Sequence, residues 1–348
     1  MRLPFYDVLL SHAAAYPQME ACDYVKLAYQ SEFGCGHLLT DREAAYATFL
    51  EEWDAVSTDA LEPLTVTIGG GYARLNLAAA KLCMPPELVF SMFEMSVSDR
   101  GTKEGFDRKI RNMQRAAKMG ILPCNGDEIV QYASTLGNQL PSHSARYRRL
   151  YGAHYRLITA ELAAIAPLCM LLSDAGRKAD RINVAIEGRA ASGKTTVAAL
   201  LGKLFDGSVI AMDDYFLPTE RKTKERLALP GGNVDVERLK QEVMGERYAD
   251  SLTHARFDCH KQVLLPAIKE VRRQYLFVEG VYSLHPELRD FYDVKFLLDT
   301  DKQSQRNRIL ERGGEALLHR YETEWLPLEE AYFAETQPNF VADLILKT

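Results

Sequence analysis

The chain has 348 residues, of which 47% are hydrophobic and 26% charged, and its formal net charge is −6. This length suits two ordinary domains, and the acidic balance argues against a general nucleic-acid binder. No apolar run reaches the ~20 residues of a membrane helix, and the six cysteines form no CxxC pair, so we expect a reduced, cytoplasmic protein without a membrane partner.

The first half of the chain is patterned mainly for helices. Apolar residues recur at helical spacing in DYVKLAYQSEF, REAAYATFLEEWDAV, PELVFSMFEMSV and EGFDRKIRNMQRAAKMG. One segment, LEPLTVTIGGGYARLNL, instead alternates like a strand and is interrupted by three glycines. We therefore predict a mainly α-helical domain with a small β element over residues 1–175.

Two groups of side chains in this half are candidate ligand sites. Cys35 and His37 could ligate a metal together with His143 or His154, although ordinary packed or surface side chains are the favoured interpretation. The segment HSARYRRLYGAHYR interleaves arginine with tyrosine, which suits a phosphorylated or nucleic-acid ligand. An amphipathic helix with tyrosines in the core and arginines in solvent is favoured over that alternative.

The pattern changes near residues 173–180, where the polar stretch SDAGRKAD follows an apolar helical run. Four strands are predicted beyond it, in RINVAIEG, GSVIAMDD, YLFVEGVY and VKFLLDTD. They alternate with helices predicted in KTTVAALLGKLF, NVDVERLKQEVM and KQVLLPAIKEVRRQ. Strands that are apolar on both faces and separated by helices predict a doubly wound parallel sheet, an α/β domain over residues 179–348. We expect the two domains to fold separately and to act together.

Residues 188–195, GRAASGKT, match the phosphate-binding pattern GxxxxGK[ST] between a predicted strand and a predicted helix. Glycine lets backbone amides approach phosphates, and the helix N-terminus adds positive potential there. Lys194 would reach the β- and γ-phosphates of ATP, and the Thr195 hydroxyl would ligate Mg²⁺. The predicted nucleotide-binding residues of this loop are Gly188, Ala190, Ala191, Ser192, Gly193, Lys194, Thr195 and Thr196.

Two further strands end in carboxylates, which the predicted sheet brings to the same edge as the loop. Asp213 and Asp214 follow the second strand, and Glu279 ends the third. Phosphoryl transfer to a hydroxyl needs a base for the proton and carboxylates for the metal. We assign Asp213 as the base and a metal-side residue, and Glu279 as a metal-side carboxylate. Taken alone, each carboxylate would be interpreted as an ordinary cap or turn residue.

The segment QRNRILERGG follows the last long apolar strand and carries three arginines. Such arginines neutralise the charge that develops on a transferring phosphoryl group. Arg308 and Arg312 share a helical face and are predicted to be catalytic, and Arg306 is predicted to bind the nucleotide. A solvated helix face is the alternative.

Together, IEGRAASGKTT, MDDYFLP, FVEGVYSLHPELRDFYDVKFLLDTD and QRNRILERGG resemble the uridine kinase and phosphoribulokinase family of P-loop kinases over residues 181–348. The resemblance implies a P-loop NTPase fold with Asp213 as the catalytic aspartate and Glu279 as the post-strand glutamate. It also places the phosphate-loop groups at Lys194 and Thr195, and the lid arginines in the QRNRILERGG segment.

The acceptor side departs from the family's pattern. A nucleoside-reading stretch similar to Y-D-F-x-x-H is shortened here to FDCH, residues 257–260, and the family's His-Pro after the ribose-contacting aspartate is absent. PGGNVDVERLKQEV occupies the place of the ribose-contacting stretch. On this resemblance, the predicted acceptor-binding residues are Asp214, Tyr215, Asp235, Asp258 and His260.

The motifs and the resemblance predict an ATP- and Mg²⁺-dependent kinase of a nucleoside-like small molecule. Two alternatives stay open. One is a nucleotide-gated regulatory or binding protein, and the other is a kinase of a different alcohol, such as a pantothenate-, glycerate- or sugar-phosphate-like molecule. The sequence leaves the oligomeric state open.

Overall fold

The computed structural model describes residues 4–35, 41–59, 63–98, 100–137, 139–259 and 261–348. The chain divides into two compact units, Met1–Ala166 and Pro167–Thr348. The division falls inside the helix Ala160–Gly176, and the polar stretch in which we place the domain boundary begins within the last turn of that helix. Within the described ranges, we find no helix with the length and apolar character needed to cross a membrane.

The first unit is mainly helical and carries a small antiparallel sheet, as predicted. Its helices are α1 (Pro4–Ala15), α2 (Ala21–Phe33), α3 (Arg42–Ala55), α4 (Leu77–Lys81), α5 (Pro86–Met95), α6 (Lys103–Lys118), α7 (Gly126–Thr135) and α8 (Ala145–Tyr151). Its strands are β1 (Thr65–Gly69), β2 (Tyr72–Asn76) and β3 (Tyr155–Thr159), with the fully buried β2 in the centre. The Tyr- and Arg-rich segment therefore forms a short helix followed by a strand.

The second unit is built around a parallel sheet. Its helices are the end of α9 (Ala160–Gly176), then α10 (Lys194–Leu204), α11 (Lys224–Leu227), α12 (Val236–Leu239), α13 (Lys302–Arg320) and α14 (Leu326–Thr336). Its strands are β4 (Ile182–Gly188), β5 (Ser208–Ala211), β6 (Ser251–His254), β7 (Phe257–Asp258), β8 (Val263–Leu264), β9 (Ile268–Val271), β10 (Tyr275–Glu279), β11 (Val294–Asp299) and β12 (Leu344–Lys347).

The central sheet has five parallel strands in the order β12-β11-β4-β10-β5. Every residue of β4 and β10 is buried, which explains why these strands read as continuous apolar runs. Glu279 at the end of β10 pairs in register with Ile186 of β4 and Ala211 of β5. The three motif-bearing strands therefore end side by side, as the doubly wound fold requires.

One predicted helix is wrong. The segment KQVLLPAIKEVRRQ forms the strands β8 and β9, which pair antiparallel with β7 and β6. Pro266 in its middle has no backbone N–H and disfavours a helix interior, so the apolar spacing around it belongs to two short strands.

Candidate active site

The predicted phosphate-binding loop joins β4 to α10. Gly188 has a φ of 156°, and a Cβ on it would lie 2.6 Å from the carbonyl oxygen of Leu298, so only glycine fits there. Gly193 has a φ of 93°, and α10 begins at the next residue, Lys194. The first amides of α10 therefore lie at the end of the loop, where a helix N-terminus favours anions.

Lys194 is buried and folds back over the loop, where its ammonium donates a hydrogen bond to the carbonyl oxygen of Arg189 at 2.8 Å. Burial lowers the pKa of Lys194. Four carboxylates oppose this effect, namely Glu187, Glu329, Glu279 and Asp213. The lysine thus lies near two carboxylates predicted for this edge of the sheet, Asp213 and Glu279, and near two others, Glu187 and Glu329.

Thr195 and Glu279 form a pair of oxygen ligands. The Thr195 hydroxyl donates a hydrogen bond to Glu279 Oε1 at 3.1 Å. Burial raises the pKa of Glu279, while Lys194 and the Thr195 hydrogen bond act in the opposite direction. A hydroxyl and a carboxylate are hard oxygen ligands, which fits Mg²⁺ held partly by the phosphates of a nucleotide.

Asp213 lies in the short 3₁₀ turn Met212–Tyr215 that follows β5. Asp213 is exposed to solvent, but the surrounding protein partly desolvates its carboxylate and thereby raises its pKa. Lys194 and Arg312 act in the opposite direction. The structure therefore brings the predicted base into the electrostatic field of the loop lysine and of one predicted catalytic arginine. A carboxylate with a raised pKa is a better proton acceptor than an ordinary aspartate.

The predicted catalytic arginines lie on α13, which is kinked at Gly313 and Gly314. Arg308 donates a hydrogen bond from Nη1 to the carbonyl oxygen of Ala191 in the loop at 3.2 Å. Ala191 has a φ of 57°, an unfavourable conformation for a residue with a Cβ, so this contact helps to fix a strained part of the loop. Arg306 instead pairs with Glu322.

A scan against protein-family models matches none, and no curated protein matches the sequence. About half of the chain is similar to solved kinases. A possible uridine kinase from Bacillus stearothermophilus has a TM-score of 0.43 at 20% identity, over 53% of this chain and 97% of that one. A D-glycerate 3-kinase from Cryptococcus neoformans has a TM-score of 0.36 at 11% identity, over 52% of this chain and 88% of that one. The sheet order and the loop geometry described above carry the conclusion about the fold.

The second unit has a P-loop NTPase fold.

Two predicted acceptor residues of this P-loop unit are buried. Tyr215 is fully buried in the hydrophobic core, where its hydroxyl donates to Glu242 at 3.3 Å and the Arg238 guanidinium lies 4.1 Å from its ring centre. Asp235 caps α12 by accepting from the Arg238 amide at 3.3 Å, and it pairs with Arg221. Both side chains, which were predicted to bind the acceptor, thus contact other residues of the same unit.

Of the other predicted acceptor residues, the structure describes Asp214 and Asp258. Asp214 is half-buried beside Asp213, and burial raises the pKa of Asp214. Asp258 ends β7 and accepts a hydrogen bond from the Lys261 amide at 3.0 Å. The thiol of the following Cys259 lies 4.0 Å from the carbonyl oxygen of Asp213, which places Cys259 beside the predicted base. His260 lies outside the described residues.

Sequence analysis missed two residues that hold the loop. Glu329 of α14 is buried and accepts a hydrogen bond from the Ala190 amide at 2.7 Å. Gln305 of α13 donates to the Ala190 carbonyl oxygen at 3.1 Å and to Glu329 Oε1 at 2.9 Å. No local sequence signal marks either residue, because the loop that they contact lies 139 positions from Glu329 and 115 positions from Gln305.

Glu187, the residue before Gly188, was also missed. It is fully buried, and its carboxylate accepts hydrogen bonds from three backbone amides and from one tyrosine hydroxyl, namely those of Gly188 at 2.9 Å, Tyr282 at 3.2 Å, Leu284 at 3.0 Å and Tyr332 at 2.9 Å. Burial raises the pKa of Glu187 to about 7. A charged residue at the end of an otherwise apolar strand was the signal, and its contacts join β4 to the segment after β10 and to α14.

The metal-ligand candidates of the first unit have other partners. Cys35 is buried against the Leu157 carbonyl oxygen, His143 lies between Asp23 and Tyr155, and His154 pairs with Glu52. His37 lies outside the described residues. Within the described part of the chain, we find no group of three or more His, Cys, Asp or Glu side chains that could hold a metal.

Proposed function

We propose that the protein is an ATP- and Mg²⁺-dependent kinase that phosphorylates a hydroxyl of a nucleoside or similar small alcohol. The observation that carries this proposal is the meeting of Lys194, the Thr195–Glu279 pair and Asp213 at one edge of the sheet. These are the groups that phosphoryl transfer needs: a phosphate cradle, metal-side oxygens and a base.

The residues would divide the work as follows. The loop amides and Lys194 hold the β- and γ-phosphates of ATP, and Thr195 and Glu279 lie on the metal side. Asp213 takes the proton of the acceptor hydroxyl as that oxygen bonds to the γ-phosphorus. The bond between this phosphorus and the β–γ bridging oxygen breaks, and ADP leaves. Bound Mg²⁺ supplies neutralisation of the phosphate charge. Arg308 and Arg312 stabilise the transferring group.

A nucleoside-like acceptor is supported by the resemblance of the motifs around the phosphate loop and Asp213, whereas the shortened FDCH stretch keeps other alcohols open. The test is an ADP-release screen with the full-length protein across nucleosides, pantothenate, glycerate and sugar phosphates, with Lys194→Ala as the inactive control. We expect release that depends on a nucleoside. ADP release that depends on a different alcohol would show that the acceptor is not a nucleoside. ATP binding without release for any acceptor would favour the nucleotide-gated regulatory protein.

A further inference from the structure

The first unit contains a cleft of about 650 Å³ that plays no part in the proposed kinase chemistry. Among the residues that line it are Lys26, Gln30, Thr48, Arg148 and Tyr155. A cleft of this volume falls within the range of small-molecule binding sites. The charges and hydrogen-bonding groups of the lining residues decide which kind of ligand the cleft favours.

A buried cation, which is not itself a lining residue, contacts two residues of the cleft wall, Gln30 and Tyr155. Arg74 of β2 is only 2% exposed, and it donates hydrogen bonds to the Tyr147 hydroxyl at 2.9 Å and to Gln30 Oε1 at 3.1 Å. Its guanidinium lies 4.5 Å from the ring centre of Tyr155. Among the described residues, its Nε has no hydrogen-bond partner and its charge has no ion-paired carboxylate. Since arginine stays charged, the protein buries a positive charge here on neutral partners.

Two further cations reach the cleft wall. The Lys26 ammonium donates to the Pro141 carbonyl oxygen at 3.4 Å. Burial, together with the nearby charges of Arg74 and Arg148, lowers the pKa of Lys26 to about 8, and Asp23 acts in the opposite direction. No ion pair joins Lys26 or Arg148 to a carboxylate within the described ranges. We refer to Lys26, Arg74 and Arg148 as the cation cluster.

The other basic groups of the cleft are already compensated. Arg156 and His154 pair with the two oxygens of Glu52 at 2.7 and 2.9 Å. The neighbouring His143 carries no charge near neutral pH, because burial lowers its pKa to about 4. Asp41, a carboxylate that also lines the cleft, accepts the Ala44 amide as the cap of α3. Among the described residues, Lys26 and Arg148 are therefore the lining cations without a paired carboxylate, and they face the cleft in front of Arg74.

The cleft is also held in a fixed shape. His143 joins Asp23, at 2.8 Å from Nδ1, to the Tyr155 hydroxyl, at 2.7 Å from Nε2. Asp23 in turn accepts hydrogen bonds from the amide and the hydroxyl of Ser144 at 2.9 and 2.8 Å. The Gln30 amide nitrogen donates to the same Tyr155 hydroxyl at 3.0 Å. Because both Gln30 and Tyr155 line the cleft, a ligand would meet polar groups that are positioned in advance.

We propose that this cleft binds a small organic phosphate monoester, with its phosphate on Lys26 and Arg148 above Arg74. A phosphate monoester carries about −1.5 to −2 charges at neutral pH, which matches two or three cations, whereas a monocarboxylate would leave at least one uncompensated. The planar fork of arginine also fits phosphate oxygens. Gln30, Thr48 and Tyr155 offer hydrogen bonds to the organic part of such a ligand.

The test is isothermal titration of ribose 5-phosphate and glycerol 3-phosphate into full-length Lys194→Ala protein, which disables the phosphate loop of the other unit. Ribose, glycerol, inorganic phosphate and acetate are the comparison ligands. We expect at least one monoester to bind at least about tenfold more tightly than its alcohol and than acetate. The proposal is wrong if neither monoester binds, or if an alcohol or acetate binds as tightly.

A matched pair of variants tests the location. Arg148 and Arg149 are neighbouring exposed residues of α8, but only Arg148 lines the cleft. In the same Lys194→Ala background, Arg148→Ala should weaken the monoester by about tenfold or more, while Arg149→Ala should bind as before. Melting temperatures of both proteins report whether the unit stays folded. Equal losses in the two variants, or none in either, would place the ligand elsewhere.

Discussion

The buried carboxylate of Glu329 accepts a hydrogen bond from the backbone amide of Ala190 at 2.7 Å, across 139 positions of sequence. Its other oxygen accepts from Gln305, which also donates to the Ala190 carbonyl oxygen. One residue of the phosphate loop thus has both backbone polar groups held by side chains from α13 and α14. The loop's shape therefore depends on these helices as well as on its glycines.

Replacing Glu329 by glutamine tests this dependence. The glutamine amide nitrogen cannot accept a hydrogen bond, so either Ala190 or Gln305 loses its acceptor, and the negative charge near Lys194 is lost. A buried charge-assisted hydrogen bond contributes about 1.5–3 kcal/mol, so we expect ATP to bind roughly ten- to a hundredfold more weakly in a calorimetric titration. Glu335→Gln, at an exposed position of the same helix, is the control and should bind normally. Unchanged affinity in Glu329→Gln would show that the contact does not shape the loop.

The assignment of Asp213 as the base predicts a loss of turnover without a loss of nucleotide binding. Asp213→Asn keeps the shape of the side chain but cannot take the acceptor's proton. We expect kcat to fall by at least ~10², a typical contribution of a general base, while the dissociation constant of ATP changes little. Asp214→Asn is the matched control on the neighbouring residue. A large loss of kcat in Asp214→Asn and none in Asp213→Asn would exchange their roles.

Arg308 provides a test of transition-state stabilisation. Its guanidinium already contacts the loop at Ala191, so it lies close to where the phosphates are expected. Charge on the transferring group changes most in the transition state, so Arg308→Ala should lower kcat by about 10² and weaken ATP binding by less. Arg320→Ala, whose arginine pairs with Glu324 at the end of α13, should leave both parameters unchanged. Equal effects of Arg308→Ala on kcat and on ATP binding would indicate ordinary ground-state binding.

These residues also show what sequence alone could predict. The parallel sheet was predictable because its strands are apolar on both faces, and the strand-end positions of Asp213 and Glu279 followed from the topology. The surroundings of individual side chains could not be predicted in the same way. Tyr215 belongs to the same motif as Asp213, yet its side chain is buried in the core. Contacts such as Glu329 with Ala190 join distant segments, and no local pattern specifies them.

The raised pKa of Glu187 makes the free energy of unfolding of the P-loop unit depend on pH. Its folded pKa of about 7 lies above the ordinary glutamate value of 4.5, so the folded state holds the proton more tightly than the unfolded state. This contribution is fully present below the unfolded pKa, and it is lost as the pH rises through about 7.

Urea unfolding of the wild type and of Glu187→Gln, from about pH 5 to about pH 7.5, measures this term. The variant should be less stable throughout, because its amide nitrogen faces hydrogen-bond donors. The difference in the free energy of unfolding between the two proteins should narrow as the pH rises, because only the wild type has a carboxyl at residue 187 that loses its proton. Other titrating groups, such as His143, cancel in the difference. A gap that stays constant or widens would mean that Glu187 is already ionised at the low-pH end.

The end of α9 contacts strand β10 of the P-loop unit. The polar stretch near residue 179 suggests a fragment starting there, but the end of α9 belongs to the second unit. The Leu172 carbonyl oxygen accepts a hydrogen bond from the Tyr275 hydroxyl of β10 at 3.1 Å, and Gly176 accepts one from Gln274 at 3.2 Å. A Cβ on Gly176 would lie 1.9 Å from the same tyrosine oxygen, so helix and strand are in close contact.

We therefore expect a fragment of residues 160–348 to be more stable than one of residues 179–348. The shorter fragment exposes the Tyr275 hydroxyl and loses the apolar side chains of the last helical turns, each of which stabilises by about 1.5–3 kcal/mol when fully buried. At roughly 2–4 °C per kcal/mol for a unit of this size, the longer fragment should melt at least about 5 °C higher. Both fragments contain the whole phosphate loop, so each should gain stability from ATP and Mg²⁺, which also shows that it is folded. Equal melting temperatures would place the boundary at the polar stretch and leave the helix without a role in the P-loop unit.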